Sequence, residues 1–300
     1  MSNAKDKTII IGNFDGVHLG HQKLINLGKK ISRDTKTQLA LITFRPHPKT
    51  IILDKTIDLL LPYEAKIDLL DQIGIKEIDE IEFTLEISKL EPEIFIDQFL
   101  IKRHNPTNIV VGTNFKFGFK ASGNIETLRK CGSSQYTVHS IDIVESAGEK
   151  ISSTSIKNLL SNGDIEKANR FLGRYYFLSG EVIEGEKRGR QIGFPTANLN
   201  TTWNFLPQNG VYVTYVTHKG KRFEAITNIG FRPTFGKSNL LIESHILDFN
   251  DSIYGDRIKV QFVKRIRSEK KFDTVDELIE NIKKDVQYAR DTFLEESRND

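Results

Sequence analysis

The sequence predicts two domains of different class: an α/β domain on a parallel sheet, then a smaller antiparallel β domain that ends in a long helix. Three observations predict it. The chain has 300 residues, more than most single cores organise. From residue 7 to about 145, short apolar runs alternate with helical patterns, the order that right-handed crossovers fold into a parallel sheet. After Gly173, strand-like runs follow one another between glycine turns, as in a small barrel or sandwich.

Taken in order, Ile9–Ile11, Leu39–Phe44, Ile109–Val111 and Tyr136–Ile143 read as strands of the first domain. Leu24–Ile31, Tyr63–Ile73, Glu93–Ile101 and Glu126–Cys131 read as its helices. From Ser152 to Phe171 the pattern is helical: SSTSIKNLL opens with good capping residues, and Asn162-Gly163-Asp164 separates it from IEKANRFL. Leu178–Ile183, Val211–Thr217, Phe223–Thr227, Leu241–Leu247 and Ile258–Val263 read as strands of the second domain. In the last of these Ile258, Val260 and Phe262 alternate with polar residues, the period of a half-buried antiparallel strand. Thr274 and Glu277 form a capping box, and Val275, Leu278, Ile279, Ile282, Val286, Ala289 and Phe293 form an apolar stripe that should pack on the barrel. The boundary is expected near residues 172–178, giving domains of 1–172 and 173–300.

Composition excludes several classes. Lysine and arginine total 43 against 40 acids, a net charge of +3 and no footprint for nucleic acid. The cluster Lys264-Arg265-Ile266-Arg267 with Lys270-Lys271 reads as a solvated face. Cys131 is the single cysteine, so neither an intramolecular disulfide nor a multi-thiolate zinc site exists. Cytoplasm fits that usage. No apolar run approaches the ~20 residues of a membrane span, and MSNAKDK lacks the apolar segment of an export signal.

The stretch GNFDGVHLGHQ, Gly12 to Gln22, follows the first strand. FRPHP (Phe44–Pro48) and GTNFKFG (Gly112–Gly118) follow two others. In parallel sheets ligands bind beyond the carboxyl ends of the strands, so three unusual loops fall on one functional edge. His18 and His21, three residues apart, share a face if helical. As zinc ligands they lack a third partner and the acid of an HExxH helix. As a base pair they have no evident proton to take. A phosphate suits the order strand, glycine loop, helix starting near His21: the helix start presents N–H groups and positive potential, and Gly12 and Gly16 allow close backbone approach. It is not a P-loop. Taken alone, the pair is better explained by a turn with buried histidines.

The residues do not stand alone. GNFDGVHLGH resembles the (T/G)xFDxxHxGH signature of the nucleotidyltransferase superfamily, and ISSTSIK (Ile151–Lys157) resembles its second signature, ISSTxIR. TFRPHP and VVGTNFKFG between them match the FAD synthetase branch. Over nearly its whole length the chain resembles the bacterial bifunctional riboflavin kinase/FAD synthetase family. That resemblance implies a Rossmann-like nucleotidyltransferase domain in which FMN attacks the α-phosphorus of ATP and pyrophosphate leaves. His18 and His21 would stabilise the transition state by position and charge. Gly12, Phe14, Asp15 and Gly16 would form the ATP loop. Phe44, Pro46, His47 and Pro48 would shape the pocket, and Asn114, Phe115 and Gly118 would lie by flavin and phosphates. Ser153 and Thr154 would hold the β- and γ-phosphates, although on their own they read as helix caps. Lys157 stands where the signature has arginine; it keeps the charge and loses the bidentate fork. Ala121-Ser122-Gly123-Asn124 also departs from the family, which carries more basic character and an Asp after the glycine.

GEKRGRQIGFPTAN (Gly185–Asn198) is a glycine- and arginine-rich loop before a Pro-Thr turn. Arg188 and Arg190 suit phosphate, and Thr196 and Asn198 offer oxygen ligands that suit Mg²⁺ held largely through substrate phosphates. GFPTANL resembles the riboflavin kinase PTAN motif, with NIGFRPTFG (Asn228–Gly236) and IESHILDF (Ile242–Phe249) in family order. The implied domain is a small antiparallel β-barrel that transfers phosphate from ATP to the 5′-hydroxyl of riboflavin. Thr196 and Asn198 would bind Mg²⁺, Glu243 would take the hydroxyl proton, and Arg232 would sit on a loop near the flavin. Asp248 is expected to be structural, and His245 has no assigned role. The partners implied are riboflavin, FMN, FAD and ATP. A flavin carrier built on the same barrel would need neither phosphate clamps nor a base.

Overall fold

The computed structural model describes residues 6–132, 134–185, 188–234 and 237–299, with 231–234, 237–240 and 299 described by backbone alone. The chain forms two compact units, Met1–Ser153 and Thr154–Asp300.

The first unit runs β1 (Lys7–Ile11), α1 (Leu19–Thr35), β2 (Gln38–Arg45), α2 (Pro48–Ile52), α3 (Tyr63–Gln72), β3 (Ile78–Glu82) and α4 (Leu85–Ser88). Next come α5 (Pro92–Phe95), a π-helical segment (Ile96–Ile101), α6 (Lys102–His104), β4 (Pro106–Gly112) and a 3₁₀ turn (Phe119–Ala121). It closes with α7 (Ile125–Gly132), β5 (Thr137–Ile141) and the two-stranded ribbon β6 (Glu145–Ser146) and β7 (Glu149–Lys150). The sheet order is β3-β2-β1-β4-β5, every pair parallel. Ile9, Ile11, Ala40, Ile42, Ile109 and Val111 enter one buried cluster, while Ile10, Leu41 and Val110 are equally buried. A parallel sheet covered on both faces requires such unbroken β-branched runs. The chain leaves β1 for β2 on one side and reaches β4 on the other, so the carboxyl ends of β1 and β4 form the switch-point crevice.

Apart from Ser153, the last residue of the first unit, the second unit carries α8 (Ser153–Ser161), α9 (Ile165–Leu172), β8 (Tyr176–Ile183), α10 (Arg188–Gln191), β9 (Ala197–Asn200), β10 (Gly210–His218), β11 (Lys221–Thr234), β12 (Lys237–Ile246), β13 (Arg257–Arg267) and α11 (Val275–Asn299). Six strands close a barrel in the order β10-β11-β12-β9-β8-β13, all pairs antiparallel. Within this unit α9 is bonded to the barrel. The Asn169 amide donates to the Phe262 carbonyl at 2.8 Å and its Oδ1 accepts from the Tyr176 N–H at 2.7 Å.

Inside the barrel Thr214, Thr227 and Ser244 are fully buried and linked hydroxyl to hydroxyl at 2.8 Å each. Buried polar groups persist only when paired in this way. Helix α11 lays Ala289 and Phe293 against Val213, Ile226 and Val263. Its expected stripe begins late, since Val275 is 59% exposed. The Thr274 hydroxyl accepts the Glu277 N–H at 3.2 Å as expected, but the Glu277 carboxylate reaches the Asp273 N–H, one residue before the box predicts.

Candidate active sites

The first candidate site is the loop from Gly12 to His18. The Gly12 N–H donates to the Ile42 carbonyl at 3.1 Å, tying the loop's start to β2. Phe14 (φ 55°), Gly16 (φ 84°) and Val17 (φ 42°) then take left-handed backbone. Glycine meets that demand at Gly16; a β-branched valine there is strained by about 1–3 kcal/mol. Bonds to other segments hold the strained turn. Asp15 Oδ1 accepts the Leu60 N–H at 2.8 Å, the Asp15 carbonyl accepts the Ser153 hydroxyl at 2.8 Å, and Gln22 Nε2 donates to the Val17 carbonyl at 2.9 Å. Phe14 is fully buried, its ring 5.2 Å from that of His21.

Helix α1 begins at Leu19 rather than near His21, because His18 is its N-cap. The buried His18 ring accepts the His21 N–H on Nδ1 at 3.4 Å. The two imidazoles stack with centroids 3.6 Å apart and planes 18° from parallel. An accepting Nδ1 leaves Nε2 as the protonated nitrogen of neutral His18, the one able to donate to an anion. The pair is therefore one stacked unit at a helix start. Among the described residues no group of three His, Cys, Asp or Glu is placed to hold a metal.

The three loops expected on one edge do follow neighbouring strands β2, β1 and β4. Phe44 is buried against Phe83 and Phe95. Pro46 precedes His47, which caps α2 by accepting the Lys49 N–H at 3.2 Å; Pro48 is its first residue. Asn114 is exposed, and Phe115 stacks on Phe117 at 5.4 Å, leading to Gly118. Ser153 donates its hydroxyl to the loop itself. Thr154 and Lys157 fall in the second unit, on α8. The sequence does not single out Lys66, yet on α3 it is buried with its Nζ 3.0 Å from Thr43 Oγ1 and 3.4 Å from the Asn13 carbonyl. Its only signal was its place four residues before the buried Leu70, within an otherwise amphipathic helix.

The second candidate site lies on the barrel. Register sets Asn198 opposite Glu243, Glu243 opposite Asn228, Asn228 opposite Val211, and Val211 opposite Arg267. One row of side chains thus crosses five strands. Directly opposed residues share a face, and the neighbours Ile242 and Ser244 point into the barrel, so this row faces out. A pocket of about 300 Å³ lies over it, lined by Asn228, Glu243, Arg267, Arg188 and Thr196 with apolar walls such as Phe194 and Ile282. A second pocket of about 260 Å³ takes Thr196, Asn198, Arg190, Gly185 and Tyr254. Thr196 lines both. The predicted Arg188, Arg190, Thr196, Asn198 and Glu243 are brought together here; the Arg232 side chain lies outside the described residues.

Three residues of this site were not anticipated. His245 Nδ1 bonds the Pro195 carbonyl at 2.8 Å, so it carries the proton and pins the chain just before Thr196. Arg267 and Asp285 form a bidentate pair, Nε to Oδ1 at 3.0 Å and Nη2 to Oδ2 at 2.7 Å, joining β13 to α11 at the pocket. Asp285 was legible only as an acid beside the stripe of α11. Asp248, expected to be structural, pairs with Arg290 of α11 at 2.9 Å, which holds its carboxyl below the usual range.

Comparison with known proteins decides between flavin and other phosphate chemistry. The family model described as FAD synthetase matches residues 1–155, and that described as riboflavin kinase matches residues 172–293. A bifunctional riboflavin kinase/FMN adenylyltransferase of Bacillus subtilis is 40% identical over 93% of this chain and 90% of its own. The chain belongs to the bifunctional riboflavin kinase/FMN adenylyltransferase family. A member from Escherichia coli K12 is 32% identical over 95% of this chain and 92% of its own. A crystal structure described as a macrolide-efflux protein of Streptococcus pneumoniae, 31% identical, matches with TM-score 0.89 over 97% of this chain and 95% of that one. The efflux description is that protein's; among the described residues here, no helix is long and apolar enough to cross a membrane.

Proposed function

We infer that this family member runs its two reactions at the two sites just described, riboflavin to FMN on the barrel and FMN to FAD at the loop of the parallel sheet. The chain is an enzyme of both activities, with ATP as co-substrate and FMN as the product of one and the substrate of the other.

The observation that carries the kinase assignment is the row Asn198–Glu243–Asn228 beneath the larger pocket. Apolar walls with a few convergent polar groups suit the flat, largely apolar flavin ring. Glu243 accepts the proton of the 5′-hydroxyl as its oxygen attacks the γ-phosphorus of ATP; the bond to the β-γ bridging oxygen breaks and ADP leaves. Arg188 and Arg190 meet phosphate charge. Thr196 and Asn198 offer neutral hard oxygens, with no carboxylate cluster beside them among the described residues, the set Mg²⁺ uses when phosphates supply the remaining ligands. A side chain at Gly185 would collide with the Asn198 amide, so the glycine keeps that cradle open. When bound there, Mg²⁺ neutralises the transferring phosphates.

For adenylyl transfer, a phosphate oxygen of FMN attacks the α-phosphorus of ATP and the α-β bridge breaks to release pyrophosphate. The stacked His18 and His21 donate to the α-phosphate as its charge grows, and Gly12 to Gly16 bring backbone close to it. Asn114, Phe115 and the Phe44–His47 loop bound the flavin side. We place the reactions in the cytoplasm, on the cysteine usage. Incubation with riboflavin, ATP and Mg²⁺ should yield FMN and then FAD by chromatography; FMN without FAD would leave only the barrel reading, and no product would refute both.

A further inference from the structure

We propose that Lys66 is a positioning residue for adenylyl transfer, its ammonium bracing the strained phosphate loop from behind and giving it a fixed positive charge. The inference rests on reading that loop as the ATP site.

Lys66 occupies the buried face of α3, together with Leu70, and is 7% exposed. Its Nζ donates to Thr43 Oγ1 at 3.0 Å and approaches the Asn13 carbonyl at 3.4 Å; the Thr43 hydroxyl donates to that same carbonyl at 3.3 Å. Asn13 stands directly before the left-handed run Phe14, Gly16 and Val17. Helix α3 and the segment that enters it thus both hold the loop, through Lys66 at Asn13 and through the Leu60 N–H at Asp15.

The charges around the ammonium do not explain it as an ordinary ion pair. Among the described residues no carboxylate bonds Nζ. Asp15 on the loop favours the charged form and Arg45 at the end of β2 opposes it. Tyr63 on α3 offers its ring face to both cations, 4.8 Å from Nζ and 4.4 Å from the Arg45 guanidinium. Arg45 is also within 3.8 Å of Glu64 on α3 and of Glu80 on β3, whose carboxyl burial pushes up. Burial brings Lys66 down to about 8. An apolar side chain would fill this position without desolvating a charge. A polyphosphate on the loop is the anion that makes an ammonium useful there, because fixed charge in a dry setting acts without reorganising.

The test uses the full chain with Lys66→Met and Lys66→Arg, assaying FAD from FMN and ATP, with FMN from riboflavin as the control in the same protein. Lys66→Met should lower kcat for FAD by about ten- to a hundredfold, the scale of a misplaced catalytic group. Both KM values should change little, Tm should hold or rise, and FMN formation should be unchanged. Lys66→Arg should recover much of the rate. Wild-type FAD formation should fall as pH rises through about 8; that limb should vanish in Lys66→Met and move upward in Lys66→Arg. A wild-type kcat in Lys66→Met overturns the inference, as does a parallel loss of both activities with a lower Tm, which marks a purely structural lysine. His21→Ala separates the premises: if it abolishes FAD formation while Lys66→Met does not, Lys66 alone is refuted; if it leaves FAD formation intact, the site reading falls and this inference with it.

Discussion

Asn198 and Glu243 stand directly opposite each other across β9 and β12. Their side chains therefore leave the barrel on the same face, with Asn228 next in the row. The candidate Mg²⁺ ligand and the candidate proton acceptor are placed together by strand register alone, 45 residues apart in sequence. A one-residue slip would turn Glu243 inward and Ser244 outward.

Glu243→Gln should lower FMN formation by about 10²–10⁴, the range for a lost general base. FAD formation from supplied FMN should be untouched. Chromatography of the two half-reactions checks this, and an unaltered FMN rate removes Glu243 from the mechanism.

His18→Ala and His21→Ala should each lower FAD formation by about 10²–10³ while sparing FMN formation. Their rings touch, so the double variant should lose much less than the product of the two single losses. Single-turnover rates for the three proteins give the coupling directly. Fully multiplicative losses would mean that the histidines act independently.

Asp285→Ala should destabilise the second unit by about 3–5 kcal/mol, the scale for breaking a buried ion pair on one side. The Asp285 side chain is 6% exposed and its Arg267 partner 25%. Because the pair lines the larger pocket, KM for riboflavin should also rise. Denaturant unfolding and kinase assays test the two effects separately; normal stability would show that Arg267 finds another partner.

Stability of the first unit should fall in mild acid. Burial holds His139 below its ordinary 6.5, and His104 is lowered too, burial outweighing its bond to Asp79. Below about 6.5 the unfolded chain binds protons that the folded one refuses. The stability is thus present above that value and lost as pH falls toward the folded values. His139 donates its Nε2–H to Asn108 Oδ1 at 3.0 Å. His139→Gln should flatten the difference between unfolding at pH 7.5 and pH 5.5; an unchanged difference would exclude His139 as its source.

Much of the fold was legible because it rests on local pattern. The buried runs of β1, β2 and β4 and the glycine-punctuated strands of the barrel declare themselves. β3 did not, because IDEIE sits at a sheet edge, where charge protects an exposed ladder. β9 did not, because ANLN has weak strand propensity and is extended by its neighbours β8 and β12. Helix α1 starts at Leu19, two residues before His21, because His18 fills the cap position although histidine is not an ordinary cap.

By itself the sequence determined the chemistry of the loops: their residue types, their order, and their place after strands of a parallel sheet or beside a PTAN turn. Those are local properties, carried by neighbours in the chain. Only the tertiary structure decided that His18 and His21 stack, that Asn198 and Glu243 share a face, and that His245 pins Pro195. It also decided that Lys66, a lysine whose local surroundings look solvated, is buried against the loop that follows β1. Register and burial depend on groups tens of residues away, and no short stretch of chain contains them.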